Sequence, residues 1–274
     1  MLIVDAQVHL WGRDRASPRH RTKPFRIQVA LDGMAEAGVA ALVNHPPGGG
    51  SAAFNYAIRA AKEHPNRFAT VTGLKLDHPE APTRVRKWRD IPGMIGLRFL
   101  CLAEEERSWP VDGTMDWMWP LAEELGIPVS LCGPVVLPLV EGLAARHPDL
   151  KLVIDHLGFV GFTADHGLIQ ADDILKWARF PNVAVKLTGV PDYAPDEYPY
   201  PSMHDTIHAL YDVYGPDRLF WGTDLTRLRC TWRQAVTMFT EELPWLPEKD
   251  KPLIMGASLC RWYGWRLPTA DPGS

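Results

Sequence analysis

The sequence predicts an α/β fold, one (β/α)8 TIM barrel with an extra C-terminal helix, spanning residues 1–274 as a single domain with a polar tail from about residue 267. Three observations predict it. Eight strand-like runs alternate with helical ones in an unbroken series, the count such a barrel needs. The strand runs are short and largely apolar on both sides, as parallel strands covered on both faces must be. Neither GxGxxG nor GxxxxGK[ST] follows the first strand, so an open nucleotide-binding sheet lacks its fingerprint.

Taken in order, the first strand opens with Leu2, Ile3 and Val4 and then places Asp5, Gln7, His9 and Trp11 at every second position. That spacing sends all four to one strand face. A carboxylate, an amide, an imidazole and an indole are costly to bury without partners, so a polar cavity is expected beside them. A capped edge strand with a surface histidine is the plainer alternative. Residues 12–24, basic and proline-containing, read as a long loop.

Residues 27–37 have helical spacing and stop at Gly38, a C-cap glycine. Residues 39–43 form the second strand, closing on Asn44, His45 and two prolines before a glycine turn at 48–50. The cycle repeats with a helix at 52–64, a strand at 68–75, a helix at 82–90 and a strand at 94–100. After an acidic loop at Glu104–Glu106 come a helix at 115–125 and a strand at 128–132, then a helix at 137–147 and a strand at 151–156. The seventh unit pairs a helix at 168–179 with a strand at 182–188, and a loop rich in Pro, Tyr and Asp covers 189–201. A helix at 203–214, a strand at 218–224, a helix at 232–243 and a last amphipathic helix at 248–265 complete the series.

Composition narrows the function. With 274 residues, 46% hydrophobic, 23% charged and a net charge of -4, the chain reads as an ordinary globular protein without the basic excess of a nucleic-acid binder. The four cysteines stand far apart with no CxxC pair, which argues against a disulfide scaffold or zinc ribbon. Neither a signal-peptide pattern nor an apolar run of ~18–20 residues is present, so cytoplasmic residence without membrane contact is expected. A small-molecule substrate is the expected partner, and a homodimer the default assembly.

In such a barrel the active site lies at the C-terminal strand ends. The last polar residues there are Gln7 and His9, Asn44 and His45, Lys75, Arg98, Cys132, His156, Lys186 and Asp224. A purely structural rim would carry aliphatics. Asp224 can hold a water for general-base attack on a carbonyl or ligate a metal, the alternative being an N-cap. His156 can donate to a carbonyl oxygen or shuttle a proton, or be an imidazole held by neighbouring backbone. Arg98 suits a substrate carboxylate or a developing oxyanion, or an ion pair with Glu104. Lys186 offers a point charge or points to solvent, Cys132 reads as a small buried apolar residue, and Asp155 as a structural residue on the opposite strand side. Trp11, Trp109 and Tyr193 are candidate aromatic walls, and Arg13, Arg15 and Arg19 hint at an anionic or polyhydroxylated ligand.

With these residues placed, the chain resembles the amidohydrolase-related family, the branch of the amidohydrolase superfamily that includes sugar lactonases, the pyrone dicarboxylate lactonase and metal-dependent decarboxylases. The resemblance runs from Val4 to about Arg261. It is carried by Asp5-x-Gln7-x-His9-x-Trp11, by Asp155-His156 with Gly158, by Lys186 with Gly189, by Trp221-Gly222-Thr223-Asp224, and by Met255-Gly256. It implies Asp224 as hydrolytic base or metal ligand, His156 as a carbonyl-polarising or proton-shuttling group, and His9 as a site residue. Gln7, His45, Arg98, Trp11, Lys186 and Cys132 are the substrate-binding candidates.

Metal-using members carry His-x-His on the first strand and commonly another histidine ending the fifth. Here Gln7 and Cys132 stand at those places. His9 and Asp224 alone keep clear ligand character, with Cys132 and His156 as further candidates, and two firm ligands are fewer than the three protein ligands usual for a catalytic zinc. The expected chemistry is therefore opening of a lactone or similarly activated ester by Asp224-activated water, with His156, His9 and Arg98 stabilising the oxyanion and no cofactor required. The alternatives are a hydrolase or decarboxylase with one zinc or manganese ion on His9 and Asp224, and a barrel that only binds.

Overall fold

The computed structural model describes residues 1–12, 23–47, 50–158 and 171–267. The expected loop with Arg13, Arg15 and Arg19, the glycines of the 48–50 turn, the first residues of the 168–179 helix and the polar tail fall wholly or mainly outside the described residues. Eight parallel strands form one sheet in sequence order: β1 (Val4–Val8), β2 (Ala41–Asn44), β3 (Phe68–Thr72), β4 (Met94–Phe99), β5 (Val129–Leu131), β6 (Leu152–Ile154), β7 (Val183–Thr188) and β8 (Leu219–Gly222). The sheet curls until β8 meets β1, where the Asp224 amide donates to the Gln7 carbonyl at 2.8 Å. Gly222 permits that approach, since a Cβ there would lie 2.6 Å from Thr188 Cγ2 and 2.8 Å from the Ala6 nitrogen.

The outer layer comprises α1 (Ile27–Ala37), α2 (Ser51–Glu63), α3 (Ala81–Arg86), α4 (Trp109–Asp112), α5 (Met118–Glu124), α6 (Val140–Arg146), α7 (Ala171–Trp177), α8 (Val190–Tyr193), α9 (His204–Tyr214) and α10 (Trp232–Thr240). Gly38 ends α1 in the left-handed conformation, φ 77°. Thr231 and Gln234 cap α10 reciprocally, satisfying donors that a helix start otherwise leaves open. Several helices are shorter than the sequence spacing suggests. The 82–90 run is α3 plus a 3-10 turn at Trp88–Asp90, and the 115–125 run narrows to α5, with α4 preceding it.

Two apolar layers result. Outward side chains such as Leu42, Leu97 and Val129 pack under the helices, while Val4, Ala6, Val43, Ala69, Ala184 and Phe220 fill the cylinder. The small alanines leave room for the C-terminal element. The expected 248–265 helix begins later, as a π-helical turn Leu253–Ala257 leading into α11 (Ser258–Tyr263). Leu259 and Tyr263 join the interior cluster, and the Tyr263 hydroxyl lies 2.8 Å from Ser130 Oγ. Gly256 packs on Val4 and Gly96 on the Tyr263 ring, so α11 seals the N-terminal end of the cylinder.

Candidate active site

The uniform alternation expected along the first strand is broken. Between Asp5 and Val8 three residues of β1 advance against two of β2, a bulge that re-aims the side chains after it. Val4 and Ala6 face inward, so Asp5 faces out, where it accepts hydrogen bonds from the Gln7 amide, the Thr223 amide and hydroxyl, and Trp232 Nε1. It ties β1 to β8 and α10. Past the bulge, Gln7 and His9 turn into the barrel mouth. Trp11 leaves it again and lines a separate cavity with Arg26, Tyr56 and Arg59, so among the described residues it is no wall of the site.

The mouth holds a cavity of about 510 Å³, lined by Gln7, His9, His45, Arg98, His156 and Asp224 together with Arg227, Trp109 and other walls. His9 and Asp224, from the two ends of the chain, meet there with Nε2 and Oδ1 2.8 Å apart. His9 Nδ1 lies 2.5 Å from the His45 carbonyl, an acceptor, so it carries a proton. The other oxygen, Oδ2, is 3.1 Å from Arg227 Nε. Burial alone would raise Asp224, but His9, His156 and Arg227 outweigh it and hold the carboxyl well below the usual range.

His156 sits in the left-handed region, φ 53°, directly after β6. Its Nε2 is 3.0 Å from the Gln7 amide nitrogen and its Nδ1 2.9 Å from Thr188 Oγ1. Lys186 Nζ lies 3.4 Å from Gln7 Oε1, which fixes the amide so that its NH2 donates to His156, whose own proton then goes to Thr188. Burial pushes this imidazole down to about 4, so it is neutral. Both ring nitrogens are committed within the protein, and the expected carbonyl-polarising role finds neither of them open.

Under the cavity lies a charge cluster that the sequence pattern concealed. Asp155 faces inward, not away, and binds Arg98 Nε through Oδ2 at 2.6 Å and Lys186 Nζ through Oδ1 at 2.9 Å. Arg98 thus pairs with Asp155 and not with Glu104. Burial would raise Asp155, but Lys186 and Arg98 hold it down to about 2, while burial lowers Lys186. Lys186 points to no solvent; it is wholly enclosed, with His45 Nε2 3.2 Å from its Nζ. Burial and the Lys186 charge keep His45 neutral.

Neither Lys186 nor Cys132 lines the cavity, so the substrate-binding role expected of them has no contact surface. Burial pushes the Cys132 thiol up to about 11. Lys75 stands beyond β3 on the rim, exposed and 3.7 Å from Glu105. The roles missed from sequence are those of Arg227, Thr188 and Asp155; Asp155 lay inside a motif of the resemblance but was read as structural, and Arg227 stands one helical turn after the expected base.

The donor set decides what metal the site can hold. Cys132, Asp155 and His156 offer ligand atoms within 4.8 Å of one another. Yet both Asp155 oxygens are paired with cations, both His156 nitrogens are bonded, and the thiol is protonated. A dication here would also face Arg98, Lys186 and Arg227. His9 and Asp224 remain as two ligands, so the residues present do not fit a tightly held catalytic metal.

A family model described as amidohydrolase matches residues 4–269. The chain belongs to the amidohydrolase family. It is 28% identical over 213 residues to the L-fucono-1,5-lactonase of Burkholderia ambifaria, covering 74% of this chain and 72% of that protein. An amidohydrolase structure from Burkholderia multivorans with bound zinc superposes with TM-score 0.79 at 19% identity, over 98% of this chain and 100% of that one. A putative 2-pyrone-4,6-dicarboxylic acid hydrolase from Pseudomonas putida gives TM-score 0.75 at 20% identity, over 97% and 99%. With the family shown, this amidohydrolase is an enzyme of the hydrolase class. Among the described residues no helix is long and apolar enough to cross a membrane.

Proposed function

We propose that this amidohydrolase opens a lactone or similarly activated ester of a small anionic or polyhydroxylated substrate, using Asp224 to take the proton from water and no tightly bound metal. The observation that carries the reading is the His9–Asp224 contact at the mouth of a cavity whose lining includes Arg98 and Arg227. The likeness to a sugar lactonase supports it.

In this scheme water oxygen attacks the acyl carbon as Asp224 accepts its proton. The tetrahedral oxyanion is stabilised by the guanidinium of Arg98, which Asp155 holds in place through Nε. The intermediate collapses by breaking the ring C–O bond, and the leaving alkoxide takes the proton back from Asp224. Before the attack, His9 and Arg227 hold the carboxylate's two oxygens. His156 positions Gln7 and through it Lys186. A lactone needs less electrophilic assistance than an amide, so this machinery suffices without a Lewis acid.

A second reading has a specific observation behind it. His9 Nδ1 is anchored to a carbonyl, the usual arrangement of a ligating histidine, and its Nε2 shares a point with Asp224 Oδ1. One zinc or manganese ion on this pair would make the enzyme a metal-dependent hydrolase or decarboxylase. The experiment is a lactone panel with wild type and Asp224→Asn, on protein purified without chelator and assayed for metal. The expected outcome is substoichiometric metal and a loss of about 10²–10⁴-fold in kcat for the variant. Full turnover by Asp224→Asn would sink the mechanism, and one equivalent of zinc or manganese tracking with activity would install the second reading.

A further inference from the structure

Among the described residues two arginines line the cavity, held in different ways. Arg98 donates to Asp155 at 2.6 Å, and the far oxygen of that carboxylate is taken by an enclosed lysine. Nothing in that cluster can exchange partners without leaving a buried charge alone. Arg227 is shared between two acids on neighbouring strand ends, with Nε 3.1 Å from Asp224 Oδ2 and a terminal nitrogen 3.2 Å from Asp192 Oδ2. Both contacts are longer, and the Asp192 side chain is 26% exposed, so its charge is partly solvated and cheap to leave.

The surroundings anchor the acids, and the Tyr193 side chain is a further hydrogen-bond partner of the arginine. Asp192 lies on α8, a single turn after β7, and Arg229 pins that turn by donating to the Pro191 carbonyl at 2.8 Å and to that of Ala194. Asp224 is fixed through its backbone to Gln7. Arg227 lies in the turn after Asp224, its amide donating to the Asp224 carbonyl at 2.9 Å, and its side chain lines the cavity that substrate must enter. In the free enzyme His9 and Arg227 therefore engage both Asp224 oxygens, and neither is placed to take a proton from water.

We propose that Arg227 is a substrate-operated latch: it ties Oδ2 of Asp224 to Asp192 in the free enzyme, and an anionic group of the bound substrate takes its guanidinium over, releasing Oδ2 to the attacking water. This rests on the hydrolytic reading above and gives it a source of specificity. Only ion-pair partners exchange, and no bond is made or broken by the latch. An anionic substrate then gains in kcat and not merely in KM, because the anion assembles the base.

The test has two arms. In the first, γ-butyrolactone and its carboxylated counterpart, 5-oxotetrahydrofuran-2-carboxylate, are compared with wild type, Arg227→Lys and Arg227→Met. The expected result is a kcat ratio of about tenfold or more in favour of the carboxylate for wild type, near unity for Arg227→Met and partly restored in Arg227→Lys. A static positioning role would lower kcat on both lactones by one factor and keep the ratio, which overturns the latch. In the second arm, the Arg227 Nε–H resonance, assigned with the Arg227→Met protein, is followed as glutarate is added. Glutarate is expected to shift it and to leave the Arg98 resonance in place. Saturation without a shift overturns the latch whatever the activity; a shift with neither lactone turned over keeps the latch and removes the hydrolytic reading.

Discussion

Asp155 sits with no exposed surface between Arg98 and Lys186, and this single carboxylate keeps two cations tolerable inside the barrel. Replacing it by Asn leaves both charges without a counter-ion. Breaking a buried pair in this way costs about 3–5 kcal/mol, so Asp155→Asn is expected to lose that much in urea unfolding, and a loss under 1 kcal/mol would contradict the cluster's role. His156 makes a pH-dependent claim. Its folded value of about 4 lies below the ordinary 6.5, so as pH falls the unfolded chain takes the proton first. The stabilisation is full above pH 6.5 and shrinks as pH falls towards 4. At about 1.4 kcal/mol per unit, wild type should lose about 3 kcal/mol relative to His156→Asn between pH 7 and pH 4. Parallel stability curves for the two proteins would refute it. Residue types at strand ends were legible: Gln7, His9, His45, Arg98, His156 and Asp224 do reach one cavity. Their pairings were not, because an ion pair such as Arg98 with Asp155 joins residues far apart in sequence and leaves no local pattern.

At the scale of elements, order and type were legible where periodicity ran long, as in α1 with its Gly38 stop. Boundaries failed where proline and glycine shorten helices, and the first strand failed for a sharper reason. A bulge inserts one residue, so one alternation cannot hold on both sides of it. Asp5, before the shift, was misplaced for that reason, Gln7 and His9, past it, were not, and Trp11 lies beyond the end of β1. The closure of β8 on β1 depends on Gly222. Its missing Cβ is bounded by the Ala6 backbone, which cannot rotate aside. Gly222→Ala is expected to destabilise by about 1–3 kcal/mol and to reduce turnover, since the strain falls two residues before Asp224. Thermal melting and kcat measured together check this, and an unaltered melting point would count against it.

At the scale of the molecule, the mouth is polar, with Arg98 paired to Asp155 and Arg227 to Asp224 and Asp192, while the floor is apolar. That division predicts insensitivity to chelation: dialysis against EDTA should leave kcat unchanged, with loss of activity restored by zinc or manganese as the contrary outcome. It also separates chemistry from assembly. Tyr263 and Leu259, which stop the floor of the cylinder, lie near the end of the described chain, whereas Gly256, just before them, packs on Val4 of β1 at its start. During synthesis, all eight strands can leave the ribosome while the base of the barrel still stands open to water. Nascent chains arrested before α11 should accordingly bind chaperones or fall to proteases, and be rescued by a few more codons.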